Sequence, residues 1–262
     1  MKRQNMEAKD YAAKLRQAQA SKTTIAPLRD EIGEHNEEMA YAIQQINTNH
    51  RLVDGARIVG KKIGLTSIKV QKHFGITTPD FGILFDDMEV LNGLSLPFAE
   101  TMQPKVEAEL AFVLGASLDT ENLTIIDIIN AIDYVLPSIE IVGSRIENWD
   151  IRITDTVADN ASASHYVLGH TPKMLDDIDV TKCDMQMTIN GEVKSSGNGK
   201  DCMGSPLNAV LWLARKMQSV GQPLQAGELI LSGSLGPMAV VEAGDEVEAV
   251  FEGLGSVSVS FT

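Results

Sequence analysis

The 262-residue chain has only two cysteines, Cys183 and Cys202, with no Cys-x-x-Cys and no Cys/His pair at zinc spacing. That argues against a disulfide framework and a structural zinc site, and makes both thiols packing residues of a reducing compartment. Positive charge is also scarce. Twenty-two Lys and Arg face 36 Asp and Glu, a formal charge of −14. Nucleic-acid binders carry a basic patch, so no nucleic-acid partner is expected. No apolar run reaches membrane-spanning length. The opening Met-Lys-Arg-Gln-Asn-Met-Glu-Ala-Lys-Asp is too polar for a signal peptide. A soluble cytoplasmic protein is expected. The five histidines (His35, His50, His73, His165, His170) lack metal-ligand spacing, and no Gly-x-Ser-x-Gly elbow occurs, so nucleophilic hydrolase chemistry lacks support.

What is present is ordinary core material, 44% hydrophobic, arranged in two textures. The first third reads as helical: 5–20 carries Tyr11, Leu15 and Ala18 on one stripe, and 36–50 carries Met39, Ala42, Ile43 and Ile46. After an Asp54-Gly55 turn, 57–65 reads as a strand, 67–74 as a short helix ended by Gly75, and 76–83 as a loop. Strands then multiply, at 88–97, 104–114, 134–142, 163–168, 182–189, 192–195, 228–232, 246–251 and 256–262. A Thr124/Asp127 capping box opens one helix among them, and Ser205-Pro206 opens another. Asn190-Gly191 marks a hairpin. The class is α+β, mainly β: an N-terminal helical lobe over 1–75 and a closed or coiled β-rich core over 76–262.

Two acids stand out within Pro-Lys-Val-Glu-Ala-Glu-Leu-Ala-Phe-Val-Leu (104–114). Glu107 and Glu109 share one strand face, roughly 7 Å apart, among apolar neighbours. A third acid, Glu140, lies in the apolar strand 134–142. Buried like charges are costly unless something neutralises them. Three carboxylates without His or Cys suit a hard cation such as Mg²⁺ or Mn²⁺. The alternative is a solvated edge for Glu107 and Glu109, with Glu140 paired to a base such as Arg145.

Strand alternation sends Lys61 and Lys62 to opposite faces, so one faces inward. An inward lysine near three acids is a candidate for proton transfer, against the ordinary surface role. Asp80 in Thr-Pro-Asp-Phe-Gly reads as a loop acid, either a proton carrier or a turn former. Asp-Phe-Gly also occurs in protein kinases, but no Gly-rich loop or His-Arg-Asp accompanies it here. The polar run Asp155–Ser162 either lines a pocket or forms internal turns. The glycines of Ser232-Gly-Ser-Leu-Gly-Pro237 allow close backbone approach without the order of a dinucleotide site.

Six segments together resemble the hydratase/decarboxylase branch of the fumarylacetoacetate hydrolase superfamily, over about residues 25–262. They are Gly-Lys-Lys-Ile-Gly-Leu-Thr-Ser (60–67), Pro-Asp-Phe-Gly (79–82), Pro-Lys-Val-Glu-Ala-Glu-Leu (104–110), Val-Leu-Pro-Ser-Ile-Glu-Ile-Val-Gly-Ser-Arg (135–145), Asp-Thr-Val-Ala-Asp-Asn-Ala-Ser (155–162) and Gly-Ser-Leu-Gly-Pro (233–237). The resemblance implies a coiled, mixed, barrel-like β core of the fumarylacetoacetase C-terminal type with a smaller N-terminal α/β part. It implies Mg²⁺ or Mn²⁺ on Glu107, Glu109 and Glu140. It also implies catalytic roles for Lys62 and Asp80, with Ser162 and Ser234 joining them along the substrate. The activity implied is hydration of a 2-hydroxy-dienoate, specifically 2-hydroxypenta-2,4-dienoate, in aromatic catabolism. The alternatives within the branch are decarboxylation of a 2-oxo diacid such as 4-oxalocrotonate, or hydration of a longer diacid. Asp80 favours hydration, and the uncharged stretch 233–237 favours a substrate with one carboxylate. Homo-oligomers built on pentamers, and association with a following aldolase or a decarboxylase, are likewise implied.

Overall fold

Helices open the chain and strands dominate the rest. A computed structural model of the chain describes residues 7–67, 71, 76 and 78–262. Helix α1 (Ala8–Ser21) buries Tyr11, Ala12, Leu15 and Ala18, one stripe at helical spacing, and ends where Lys22 turns left-handed. A single turn, α2 (Arg29–Ile32), precedes α3 (Glu37–Val53). Asn36 caps α3 by accepting the Met39 N–H. The short helix expected at 67–74, with His73, and the expected lobe boundary at Gly75 lie largely outside the described residues.

The strands are β1 (Ile58–Gly64), β2 (Asp80–Phe85), β3 (Glu89–Leu91), β4 (Ser95–Leu96), β5 (Lys105–Leu114), β6 (Ile132–Val142), β7 (Ala163–Leu168), β8 (Asp184–Ile189), β9 (Glu192–Asn198), β10 (Leu229–Ser234), β11 (Ala239–Val240), β12 (Glu246–Phe251) and β13 (Gly255–Phe261). Helices α4 (Ile125–Ala131), α5 (Ile153–Ala158) and α6 (Pro206–Ser219) lie between them. The larger sheet runs β2-β1-β10-β5-β6-β7-β3, with β11 also on β5; the smaller runs β4-β13-β12-β8-β9. Pairing is mixed. β1 with β10, β3 with β7 and β4 with β13 are parallel, and the other pairs antiparallel. The sheets meet where β12 and β13 pack on β6, giving the coiled, mixed architecture expected. One apolar core joins both sheets to α4 and α6. A second, smaller core joins α1 and α3 to α5, with Ile43, Ile146 and Val157 at its centre.

Two expectations are corrected. The segment 76–83 is not all loop, because Asp80 begins β2, which is buried along its whole length. Gly82 belongs in that strand for a packing reason: a Cβ there would stand 2.3 Å from the carbonyl oxygen of Asn160. The single strand expected at 88–97 splits into β3 and β4 around a turn at Asn92-Gly93, where Gly93 has φ +78°.

Candidate metal centre and active site

The site lies across the middle of the larger sheet. β5 and β6 are antiparallel neighbours over ten residue pairs, and their register sets Glu107 directly opposite Glu140. Glu109 lies two residues along β5, on the same face. One oxygen from each of the three carboxylates can be chosen so that all lie within 4.8 Å of one another. Glu109 and Glu140 are fully buried and Glu107 is half-buried. β5 is an interior strand between β10 and β6, so the solvated-edge reading does not hold.

These acids are undersupplied with partners. Glu109 Oε2 accepts the N–H of Gly233 at 2.9 Å, while among the described residues its Oε1 and both Glu140 oxygens accept no hydrogen bond. Among the described residues, the cation at Glu140 is Lys62, whose Nζ stands 3.3 Å from Oε1. Arg145, the alternative partner, instead forms a buried ion pair with Asp159 at 2.5 Å. Burial pushes Glu140 up to about 7, against the pull of Lys62. Burial, then the charges of Glu140 and Glu107, raise Glu109 well above the ordinary carboxylate range. Burial also raises Glu107. A hard divalent cation fits this donor set: three converging oxygen ligands, unpaired acceptors and surplus negative charge.

Lys62 and Asp80 flank the trio. β1 is an interior strand between β2 and β10, and both of its lysines are buried. Lys61 pairs with Glu228 at 2.6 Å on one face. On the other, Lys62 donates to the Ala161 carbonyl at 2.9 Å. Burial lowers the Lys62 pKa, but Glu140, Asp80, Glu107 and Glu109 together outweigh it, raise the pKa and hold the lysine charged. Asp80, opposite Gly64 in the β1–β2 register, is fully buried. Burial raises its pKa, with Lys62 and a hydrogen bond to Thr156 opposing, and its Oδ1 has no partner among the described residues. Gly64 makes the space: a Cβ there would stand 2.1 Å from that Oδ1.

The two serines sit differently. Ser162 is buried, its hydroxyl 3.3 Å from that of Thr156, the residue that opposes the rise in the Asp80 pKa. Ser234 pairs with Glu109 in the β10–β5 register, but its hydroxyl donates to the Gly236 carbonyl at 2.6 Å. Thr156 and Gly64 were not singled out from the sequence. Their only signal is position, Thr156 inside the polar run and Gly64 two residues after Lys62.

Residues 78–262 match the fumarylacetoacetate (FAA) hydrolase C-terminal family. The chain is 52% identical over 250 residues to 2-keto-4-pentenoate hydratase 1 of Dechloromonas aromatica (strain RCB), covering 95% of each protein. It is 43% identical over 251 residues to 2-hydroxyhexa-2,4-dienoate hydratase of Comamonas testosteroni, again covering 95% of each. Among solved structures, 4-oxalocrotonate decarboxylase from Pseudomonas putida G7, complexed with magnesium and adipate, superposes with a TM-score of 0.94 at 32% identity over 97% of each chain. The strand order, the acid trio and these likenesses converge on one conclusion, that the chain belongs to the fumarylacetoacetate hydrolase family.

Proposed function

We propose that the chain is a metal-dependent hydratase that adds water to 2-hydroxypenta-2,4-dienoate to give 4-hydroxy-2-oxopentanoate. The observation that carries this reading is the converging trio Glu107, Glu109 and Glu140 with Lys62 and Asp80 at its side. The names of the relatives at 52% and 43% identity support it. The trio would hold Mg²⁺ or Mn²⁺, which supplies Lewis-acid polarisation of the substrate's C2 oxygen.

The remaining steps belong to side chains. Lys62, held charged, offsets the substrate carboxylate. Loss of the C2 hydroxyl proton with protonation at C5 first turns the dienol into the 2-oxo-3-enoate, whose C4 accepts water. Asp80, with a raised pKa and an oxygen lacking a partner among the described residues, then takes the proton of water as the C4–O bond forms. A proton delivered to C3 completes the addition. Ser162, through Thr156, keeps Asp80 oriented and borders the substrate, as does Ser234. The stretch 233–237 carries no charge, which suits a substrate with one carboxylate. Decarboxylation of a 2-oxo diacid at the same centre is the second reading, favoured by the likeness to the decarboxylase.

The deciding experiment follows loss of dienol absorbance with Mn²⁺, beside CO₂ release from 4-oxalocrotonate. Dienol loss that stops with EDTA is expected. Unchanged turnover after chelation, or CO₂ release without dienol loss, overturns the proposal. A cytoplasmic location is part of the same proposal; among the described residues no helix is long and apolar enough to cross a membrane. A pentamer-based homo-oligomer fits the exposed Val53, Ile126 and Val240. It predicts a sedimentation mass several times that of one chain, with association with an aldolase or decarboxylase read in the same way.

A further inference from the structure

Three consecutive residues, Asn160, Ala161 and Ser162, have φ of +56°, +50° and +59°. Left-handed backbone is unfavourable for any L-residue with a Cβ, and three in a row persist only where the surroundings impose it. The Asn160 side chain is the principal restraint. Its Oδ1 accepts the Ile83 N–H at 2.8 Å, and its Nδ2 donates to the Ile83 carbonyl at 2.9 Å. This pair of bonds fixes the amide's orientation, because a flipped amide would set donor against donor. Gly82 lets the turn lie flat on β2. The far end is held where Ser162 accepts the Gly143 N–H at 2.9 Å.

The turn's position has a consequence at the site. Its middle carbonyl, that of Ala161, accepts from Lys62 Nζ at 2.9 Å. Its last residue, Ser162, has its hydroxyl 3.3 Å from that of Thr156, a neighbour that opposes the rise in the Asp80 pKa. β2, which Asn160 grips, is the strand that carries Asp80. We propose that Asn160 is a positioning residue: by clamping the left-handed turn to Ile83, it sets the Ala161 carbonyl that aims Lys62 and the Ser162 and Thr156 hydroxyls that aim Asp80. The assignment rests on the hydratase reading, in which Lys62 and Asp80 act on the substrate. A backbone carbonyl cannot be deleted by mutation, so the clamp is the accessible handle.

The test compares Asn160→Ala with Asn160→Asp, which keeps the acceptor for the Ile83 N–H and tolerates left-handed backbone. Steady-state hydration with Mn²⁺, titration calorimetry with Mn²⁺ alone, and amide exchange of the 81–85 and 160–163 peptides are measured on the full chain. Asn160→Ala should lose at least tenfold in kcat, with KM and the Mn²⁺ dissociation constant within threefold of the parent. Exchange should quicken in those two peptides and not across β5 and β6, and Asn160→Asp should recover part of kcat and of protection. Parental kcat in Asn160→Ala, or a matching loss of Mn²⁺ affinity, overturns the proposal. If Asn160→Ala fails to fold, Asn160→Asp decides: intermediate kcat at parental KM supports the clamp, and parental kcat or a lost metal site refutes it. A parent protein that leaves the dienoate untouched refutes the hydratase reading instead, and the exchange pattern still decides the clamp.

Discussion

Replacing Glu109 by Gln should stabilise the metal-free protein while destroying its activity. The three carboxylates lie within 4.8 Å of one another. At an effective permittivity of about 20, each ionised pair at that distance costs about 3.5 kcal/mol. Glu109 has two such neighbours, so full ionisation would cost it about 7 kcal/mol. Binding a proton is the cheaper course. For a carboxyl of ordinary pKa 4.5, that costs about 4 kcal/mol at pH 7.5. This figure is the ceiling on what the metal-free site loses at Glu109. Glutamine removes the charge, keeps an oxygen for the Gly233 N–H, and turns its amide donors toward Glu107 and Glu140.

The sign with pH follows from proton binding. A carboxyl whose pKa is raised on folding binds more protons folded than unfolded. Its penalty is therefore absent at low pH and grows as pH rises from the unfolded value. In EDTA at pH 7.5 the Gln variant should melt higher than the parent, by up to about 16 °C at roughly 2–4 °C per kcal/mol. At pH 4.5 the two should nearly coincide. Saturating Mn²⁺ should reverse the order, because only the parent keeps three ligands. Circular-dichroism melts read all of these conditions. A Gln variant that melts below the parent in EDTA at pH 7.5 would refute the reasoning, since Glu109 would then be stabilised without an ion.

Gly64→Ala should cost at least tenfold in kcat with an unchanged far-ultraviolet spectrum, because its methyl would occupy the place of Asp80 Oδ1; full activity would mean Asp80 need not stand there. Arg29→Ala should cost about 3–5 kcal/mol in urea unfolding, since it strips the cation from fully buried Asp155, 2.7 Å away; a loss below 1 kcal/mol would remove that strut from the account. Metal uptake near pH 6.5 should release protons, because Glu140 is pushed up to about 7 and Glu109 is raised too. Calorimetry in buffers of different ionisation heat counts them, and a count of zero at pH 6.5 would contradict the raised carboxylates.

The trio was half legible because two of its members share a strand. Period-two geometry alone puts Glu107 and Glu109 on one face. Their meeting with Glu140 depends on the β5–β6 register, which chain spacing does not encode. Alternation alone left Lys62 as one of two inward candidates, since it says nothing of what covers either face, and only the family resemblance singled it out. The partner that accounts for Lys61 is Glu228, 167 residues away. Asp80 was misplaced in a loop because Pro79 and Gly82 read as breakers, although Pro79 lies just outside β2 and Gly82 is the packing allowance for Asn160. Nothing local separates Asn160 from the other short polar residues of its run. Its role arises only when β2 is laid beside it.

The face-to-face placement of Glu107 and Glu140 also acts as a check on assembly. A slip of β5 by a single residue would carry Glu107 and Glu109 through to the opposite surface of the sheet and leave Glu140 without company. A chain zipped in the wrong frame would thus be unable to bind a divalent ion, whatever its secondary structure content, and ion uptake would report on correct strand alignment as well as on chemistry.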